Sequence, residues 1–112
     1  MKKIRICDLN QLTDPGSRGF TLPRDGEEIE GFVVHKNGFV SAFINSCPHT
    51  GAPLNWSPHQ FLDWEGEFIQ CSLHGAIFRA DNGYCVHGPC VGQSLKSMPV
   101  LLEEDAIWLN ID

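Results

Sequence analysis

The chain of 112 residues has a formal net charge of −6, with 14 acidic side chains against 8 basic ones. The length suits one domain with its own hydrophobic core, so we expect a single domain over residues 1–112. An acidic surface repels phosphate backbones, which excludes nucleic acid as an expected partner. No apolar run approaches the roughly 20 residues of a membrane-spanning helix, so we expect no membrane partner.

The start of the chain and its cysteine count indicate a reducing compartment. In the sequence MKKIRICDLN, Arg5, Cys7 and Asp8 interrupt the apolar run of about seven residues or more that a signal peptide needs. Five cysteines form an odd set, which fits poorly with a closed disulfide framework. We therefore expect a cytoplasmic protein whose cysteines include metal ligands.

The pattern of residues predicts an all-β domain. Short β-branched and aromatic runs alternate with glycine, proline and asparagine, and no long segment has a helical period. The predicted strands and hairpins are KKIRICDL at 2–9; GFVVHKNGFVSAFIN at 31–45, turning at Asn37 and Gly38; EFIQ at 67–70; GAIFRADNGYCV at 75–86, turning at 81–83; and PVLLEEDAIWLNI at 99–111, turning at 103–105. Between them, NWSPHQFLDWEG at 55–66 is expected to be an irregular insertion or one short helical turn.

Two loops contain the residues that suit a metal centre. Cys47 and His49 form a C-x-H motif in CPHTGAPL, and Cys71 and His74 form a C-x-x-H motif in CSLHG. Each loop follows a predicted strand and offers one soft thiolate and one imidazole. Two such loops can converge at one end of a β domain, so together they predict a shared metal centre.

The pair CPHTG and CSLHG resembles the Rieske family of 2Fe-2S proteins, and the resemblance covers essentially the whole chain. It implies the Rieske iron–sulfur fold, an antiparallel β sandwich or barrel with a small cluster-binding subdomain of two loops. It also implies one 2Fe-2S cluster per chain, with Cys47 and Cys71 on one iron and His49 and His74 on the other. The histidine-bound iron would lie near the surface and change valence, and HGP at 87–89 resembles the family's third, covering loop.

Departures from the family pattern bear on the reduction potential. High-potential members carry an extra disulfide-forming cysteine in each loop, and Ala52 and Leu73 stand in those places. Ala76 and Phe78 stand where those members have hydroxyl groups that donate hydrogen bonds to the cluster. We therefore expect a potential near the low end of the family range, on the order of −150 mV.

The resemblance implies an electron-transfer component rather than a catalyst. We expect a soluble one-electron carrier that takes electrons from a ferredoxin reductase and passes them to a terminal oxygenase or another oxidoreductase. One alternative is a small subunit of a larger oxidoreductase, similar to a nitrite reductase. A second alternative, from a different class, is an interaction module stabilised by zinc.

The remaining cysteines, histidines and aromatic residues have simpler interpretations. CVHGPC at 85–90 suggests either a separate metal site or, as we expect, two buried thiols that could pair. Cys7 is expected in the core, and His35 and His59 at the surface. Strand patterns predict core positions for the aromatic residues Phe32, Phe39, Phe43, Phe68, Phe78 and Trp108.

Overall fold

The computed structural model describes residues 3–24, 26–48, 51, 53–55, 59–72 and 75–110. Within these residues the chain forms nine strands, one 3-10 turn at Leu9–Gln11 and no α-helix, which confirms the all-β prediction. In the described part of the chain, accordingly, no helix has the length and apolar character needed to cross a membrane. The strands are β1 Lys3–Asp8, β2 Gly16–Arg24, β3 Glu27–Lys36, β4 Phe39–Ile44, β5 Phe68–Gln70, β6 Ile77–Arg79, β7 Cys85–His87, β8 Val100–Glu103 and β9 Ala106–Asn110.

The strands form three antiparallel sheets of three strands each. We call β1-β9-β8 the terminal sheet, β2-β3-β4 the central sheet and β5-β6-β7 the cysteine sheet. The predicted turns are confirmed: Asn37 and Gly38 close the β3-β4 hairpin with φ values of 51° and 82°. Glu104 and Asp105 close the β8-β9 hairpin with φ values of 52° and 59°. Positive φ at both central residues matches the right-handed twist of the strands that such turns connect.

The edge strand β2 is absent from the sequence prediction. It pairs with β3 along its whole length, from Gly16 opposite His35 to Arg24 opposite Glu27. Its sequence, GSRGFTLPR, contains two glycines and a proline, which weaken the strand pattern. Pro23 is tolerated because β2 lies at an edge of the central sheet, where a missing N–H costs no ladder hydrogen bond.

The central sheet is buried on both of its faces. In β3, Phe32 and Val34 belong to one cluster of buried residues and Val33, between them, belongs to another. Successive side chains of a strand point to opposite faces, so the two clusters lie on opposite sides of the sheet. The first cluster includes Ile69, Phe78 and Cys85 of the cysteine sheet. The second includes Cys7, Ile107 and Leu109 of the terminal sheet.

The cysteine sheet is inserted between β4 and the segment that leads to β8. The chain leaves β4 after Ile44 and returns along its edge, where the Ile44 N–H donates to Lys96 O at 2.9 Å. The Met98 N–H donates to Ala42 O at 2.9 Å, and Phe43 pairs with Ser97. The residues that flank the inserted segment 45–95 therefore lie side by side at the edge of the central sheet.

Phe32, Phe43 and Phe78 lie in the core as expected, Phe39 and Trp108 are only partly buried, and His59 is exposed as expected. The expected positions of two residues are wrong. His35 is not a surface residue: its side chain is 12% exposed, and its Nε2 lies 3.7 Å from Asp14 Oδ2. Phe68 is 36% exposed, because its side chain lies on the outer face of the short strand β5. Cys7 is buried as expected, and burial raises the pKa of its thiol.

Phe61 is a core residue that the sequence pattern did not indicate. It lies in the segment expected to be irregular, whose described residues 59–66 form turns and one isolated bridge rather than a helix. Its side chain is 2% exposed, and its ring stacks on Phe32 at 4.2 Å between centroids. The insertion is thus anchored in the core, while Trp64 at its tip is fully exposed.

We predict that Phe61→Ala lowers the free energy of unfolding by about 3–5 kcal/mol, because it removes a buried ring and leaves a cavity against Phe32. Phe68→Ala is the control, since it shortens the same side chain at a partly exposed position. Chemical denaturation of both variants measures the difference. Equal losses in the two variants would contradict the anchoring role of Phe61.

Candidate metal centre

The two predicted cysteine ligands lie where strands end and loops begin. Cys47 follows β4 by three positions, and Cys71 is the first residue after β5. The two side chains are 1% and 0% exposed and belong to the same buried cluster. All five cysteines of the chain are free of disulfides. The structure therefore provides two buried thiols, from two separate loops, in one apolar environment.

The two loops contain the same type of turn. The Gly51 N–H donates to Cys47 O at 2.7 Å, and the Gly75 N–H donates to Cys71 O at 3.0 Å. Both glycines have positive φ, 78° and 69°, which other residues adopt at a cost. In each loop the carbonyl oxygen of the cysteine thus accepts a hydrogen bond from the glycine four residues later in the chain. The predicted ligands His49 and His74 lie outside the described residues, as do Ala52 and Leu73.

Backbone hydrogen bonds hold the two loops beside each other. The Ser72 N–H of the second loop donates to Leu54 O of the first at 2.8 Å. The Leu54 N–H in turn donates to Asn45 Oδ1 at 2.8 Å, and Asn45 Nδ2 donates to Asn55 Oδ1 at 2.9 Å. Asn45 was not singled out in the sequence, where it is only a turn-forming residue after a strand. Its side chain hydrogen-bonds to Leu54 and Asn55 and so joins the start of the first loop to its end.

The third loop packs directly on the second. Gly88 has a φ of 105°, and a Cβ at this position would lie 2.8 Å from the Ala76 Cα. The loop is closed where the Cys85 N–H donates to Gln93 O and the Gln93 N–H donates to Cys90 O, both at 2.9 Å. Only glycine permits this close approach. Gly88, within HGP at 87–89, therefore makes the contact between the third loop and the second.

Cys85 and Cys90 are the buried thiols that the sequence suggested. Their sulfur atoms lie 3.2 Å apart, and the side chains are 0% and 2% exposed. Burial raises the pKa of the Cys90 thiol to about 12, with further contributions from Cys85 and from Cys47. His87 is exposed. Across the described ranges, no group of three or more cysteine, histidine or acidic side chains is arranged to hold a metal.

Cys47 and Cys71, the two predicted ligands that the structure describes, suit an iron–sulfur cluster. A thiol that binds a metal does so as a thiolate, and in this apolar cluster the bound metal would supply the compensating positive charge. Thiolates are soft donors that select iron–sulfur clusters or zinc. At Gly51 and Gly75 an added Cβ would meet nothing within 4 Å, so the turns themselves leave open space beside them.

We predict that Gly88→Ala destabilises the protein by about 1–3 kcal/mol more than Gly92→Ala. Both glycines have φ near 100°, so both substitutions carry a similar backbone strain. Only Gly88 faces a backbone atom, since an added Cβ at Gly92 meets nothing within 4 Å. Urea unfolding of the two variants isolates the contact with Ala76. Equal destabilisation would show that the third loop does not depend on it.

Comparison with curated proteins shows a partial match to two enzyme components. The oxygenase component of chloroacetanilide N-alkylformylase from Rhizorhabdus wittichii strain DC-6 is 39% identical over 72 residues, 64% of this chain and 16% of that protein. The oxygenase component of dicamba O-demethylase from Stenotrophomonas maltophilia is 32% identical over 79 residues, 65% of this chain and 22% of that protein. The chain therefore spans only a small part of the length of these relatives.

Comparison with solved structures and family models covers far more of the chain. The ferredoxin of carbazole 1,9a-dioxygenase from Nocardioides aromaticivorans IC177 has a TM-score of 0.75 and 27% identity, with 100% of both chains covered. The family model described as the Rieske [2Fe-2S] domain matches residues 2–100. The cofactor is accordingly a Rieske-type 2Fe-2S cluster. The chain belongs to the Rieske [2Fe-2S] domain family.

Proposed function

We propose that the protein is a one-electron carrier that accepts an electron from a ferredoxin reductase and passes it to a terminal oxygenase or another oxidoreductase. The observation that carries this proposal is the match over the full length of both chains with a ferredoxin of a dioxygenase system, at 27% identity. On this view residues 1–112 form a single Rieske domain. The domain transfers electrons and leaves the chemistry on the substrate to its partner.

The proposed ligands are Cys47 and Cys71 on one iron and His49 and His74 on the other. The burial of both cysteines and the matching turns at Gly51 and Gly75 support this assignment. When bound, the cluster accepts or gives up one electron. Two neutral imidazoles in place of two thiolates make the site less negative, which favours reduction relative to a cluster with four cysteines.

The protein's own residues shield this site. The apolar cluster around Cys47 and Cys71 includes Leu54, Ala76 and Phe78, each 0% exposed. These side chains exclude water from the sulfur side of the site, and none of the three has a polar side-chain atom. A low local polarity disfavours the more negative, reduced state. The surroundings therefore support a potential near the low end of the family range.

The acidic surface suggests the chemistry of the docking partner. With a net charge of −6, the protein attracts partners that present basic residues, and such attraction accelerates encounter more than it increases affinity. The five free cysteines are consistent with the reducing cytoplasm that we propose as its location.

A second candidate function is a relay within a larger oxidoreductase. The two curated relatives favour it, because both are oxygenase components in which the matched region is 16% and 22% of the protein. In that case the same cluster passes electrons inside a permanent complex. The apparent mass of the native protein in an extract of its source cell, measured by size-exclusion chromatography, separates a free carrier from a subunit.

We predict that the purified protein is red-brown with two irons per chain, and that Cys47→Ala, Cys71→Ala, His49→Ala and His74→Ala each lose the cluster. Cys7→Ala and His87→Ala are the controls, since Cys7 lies in the opposite core and His87 is exposed. Iron analysis and the visible absorption spectrum measure the outcome. A colourless protein that contains zinc would establish the interaction module instead.

We predict that redox titration gives a one-electron transition at a potential on the order of −150 mV. The potential falls as pH rises through the pKa values of the iron-bound imidazoles, because oxidised iron acidifies them. A midpoint above about +150 mV would contradict the low-potential assignment. A potential that is constant into the alkaline range would contradict histidine ligation.

The carrier role itself is tested by stopped-flow mixing of the dithionite-reduced protein with the oxidised terminal oxygenase of a carbazole dioxygenase. We expect reoxidation that is faster at low ionic strength, since the acidic surface promotes encounter with basic groups. Retention of the electron under these conditions, by a protein with a full cluster, would contradict transfer to this class of oxygenase.

A further inference from the structure

The strand and loop that follow the second cysteine loop expose a group of apolar side chains. Val86 and Val91 are 43% and 59% exposed, and Pro89 between them is also exposed. We call the side chains of Val86, Pro89 and Val91 the third-loop surface. Single exposed apolar side chains are ordinary, but a group of them marks a surface that another molecule covers.

The third loop lies beside the proposed ligand Cys71. A Cβ at Gly88 would lie 2.8 Å from the Ala76 Cα, and the Cys71 N–H donates to Ala76 O at 2.8 Å. One residue therefore separates the third loop from the backbone of Cys71. Val86 and Val91 stand on either side of Gly88 in the chain. A partner that approaches the site closely enough to take an electron would contact this loop.

None of the three loops contains an acidic or basic side chain. The sequence has no Asp, Glu, Lys or Arg at 37–62, 68–78 or 82–95, although these residue types make up 20% of the chain. The first, second and third loops lie within these three stretches. The acidic net charge is therefore a property of other surfaces of the protein and not of the loops.

The charged side chains beside the third-loop surface are paired with one another. Arg79 Nε donates to Asp81 Oδ1 at 3.0 Å, and Arg79 Nη2 donates to Asp81 Oδ2 at 2.8 Å. Lys36 Nζ donates to Glu67 Oε2 at 3.0 Å. All four side chains line one groove with Val86. Because their charges cancel in pairs, they offer a partner neither a positive nor a negative site to bind.

We propose that the third-loop surface is where the electron-accepting oxygenase docks, and that the oxygenase covers it with an uncharged, apolar face. The proposal rests on the proposed function and names the chemistry of the partner's contact surface. A charged side chain buried against these residues would lose its water without gaining a counter-charge. An apolar side chain would gain the free energy of burial. The acidic residues elsewhere steer the partner during its approach and stay outside the contact.

The test places charges of both signs on the third-loop surface. Val91→Glu and Val91→Lys each bury an unpaired charge in the complex, so we expect both to raise the dissociation constant by about tenfold or more. Stopped-flow reoxidation of the reduced variants, at a series of concentrations of the terminal oxygenase of a carbazole dioxygenase, gives this constant. A contact formed by ion pairs would respond in opposite directions to the two charges, and that result would overturn the proposal.

Leu102→Glu and Leu102→Lys are the matched controls. Leu102 is 50% exposed and lies in β8 of the terminal sheet, on the other side of the central sheet. We expect these variants to change the dissociation constant by no more than about twofold, since their charges stay in water. Val86→Glu and Val86→Lys repeat the test at a second position of the third-loop surface. Equal effects of the pairs at Leu102 and Val91 would contradict a docking role for the third loop.

A measurement on the unmodified protein tests the same inference without a substitution. Surface plasmon resonance with immobilised oxygenase gives the association and dissociation rates separately. We expect the association rate to fall as salt is added, because distant acidic residues are screened. The dissociation rate should stay nearly constant, because no ion pair crosses the contact. A dissociation rate that rises steeply with salt would overturn the proposal.

Three outcomes separate this inference from the proposed function. Failure of the unmodified protein, with a full cluster, to pass its electron to the oxygenase would overturn the proposed function and this inference with it. Electron transfer with the same dissociation constant in the Val91 variants would overturn the inference alone. A dimer of the unmodified protein that Val91→Glu abolishes, measured by size-exclusion chromatography, would show that a second copy of the chain covers this surface instead.

Discussion

The structure depends on a central sheet that is buried on both faces. Phe32 and Val34 face one apolar cluster while Val33 faces the other, so every residue of this stretch of β3 must be apolar. Such a run cannot alternate between polar and apolar residues as strands with one solvated face do. The terminal sheet packs on one side and the cysteine sheet on the other. The metal centre is therefore built on a support that is rigid because it is packed from two directions.

Hairpins could be predicted from the sequence because their turns need residues that adopt positive φ. Asn37 and Gly38 have this property and close the β3-β4 hairpin. β2 could not be found in the same way, since its glycines and Pro23 give no strand pattern. It is stabilised instead by pairing with β3 along nine positions, a property of the partner strand. Phe61 was missed for the same reason, because its burial depends on Phe32 in a distant strand.

More of the candidate site than of the structure around it could be predicted from the sequence. Cys47 and Cys71 were recognisable as candidate ligands from their loops, and in the structure both are buried in one cluster. The assignment of His49 and His74 as ligands stays a prediction, as does the division of the ligands between the irons. The close contact of Gly88 with Ala76 could not be predicted from the sequence, because it joins two separate loops. Contacts of this kind between separate loops are visible only in three dimensions.

The inserted segment, residues 45–95, leaves and re-enters the central sheet at adjacent points, which has a consequence for how such a domain can change over time. Because Ile44 and Lys96 are hydrogen-bonded neighbours, whatever lies between them leaves the central sheet and returns to it at one place. Residues could therefore be added within the segment without altering the register of the central sheet. The strand register of the central sheet thus does not depend on how many residues this segment contains. The length and surface of the segment that contains the cysteine loops can therefore vary while the central and terminal sheets stay the same.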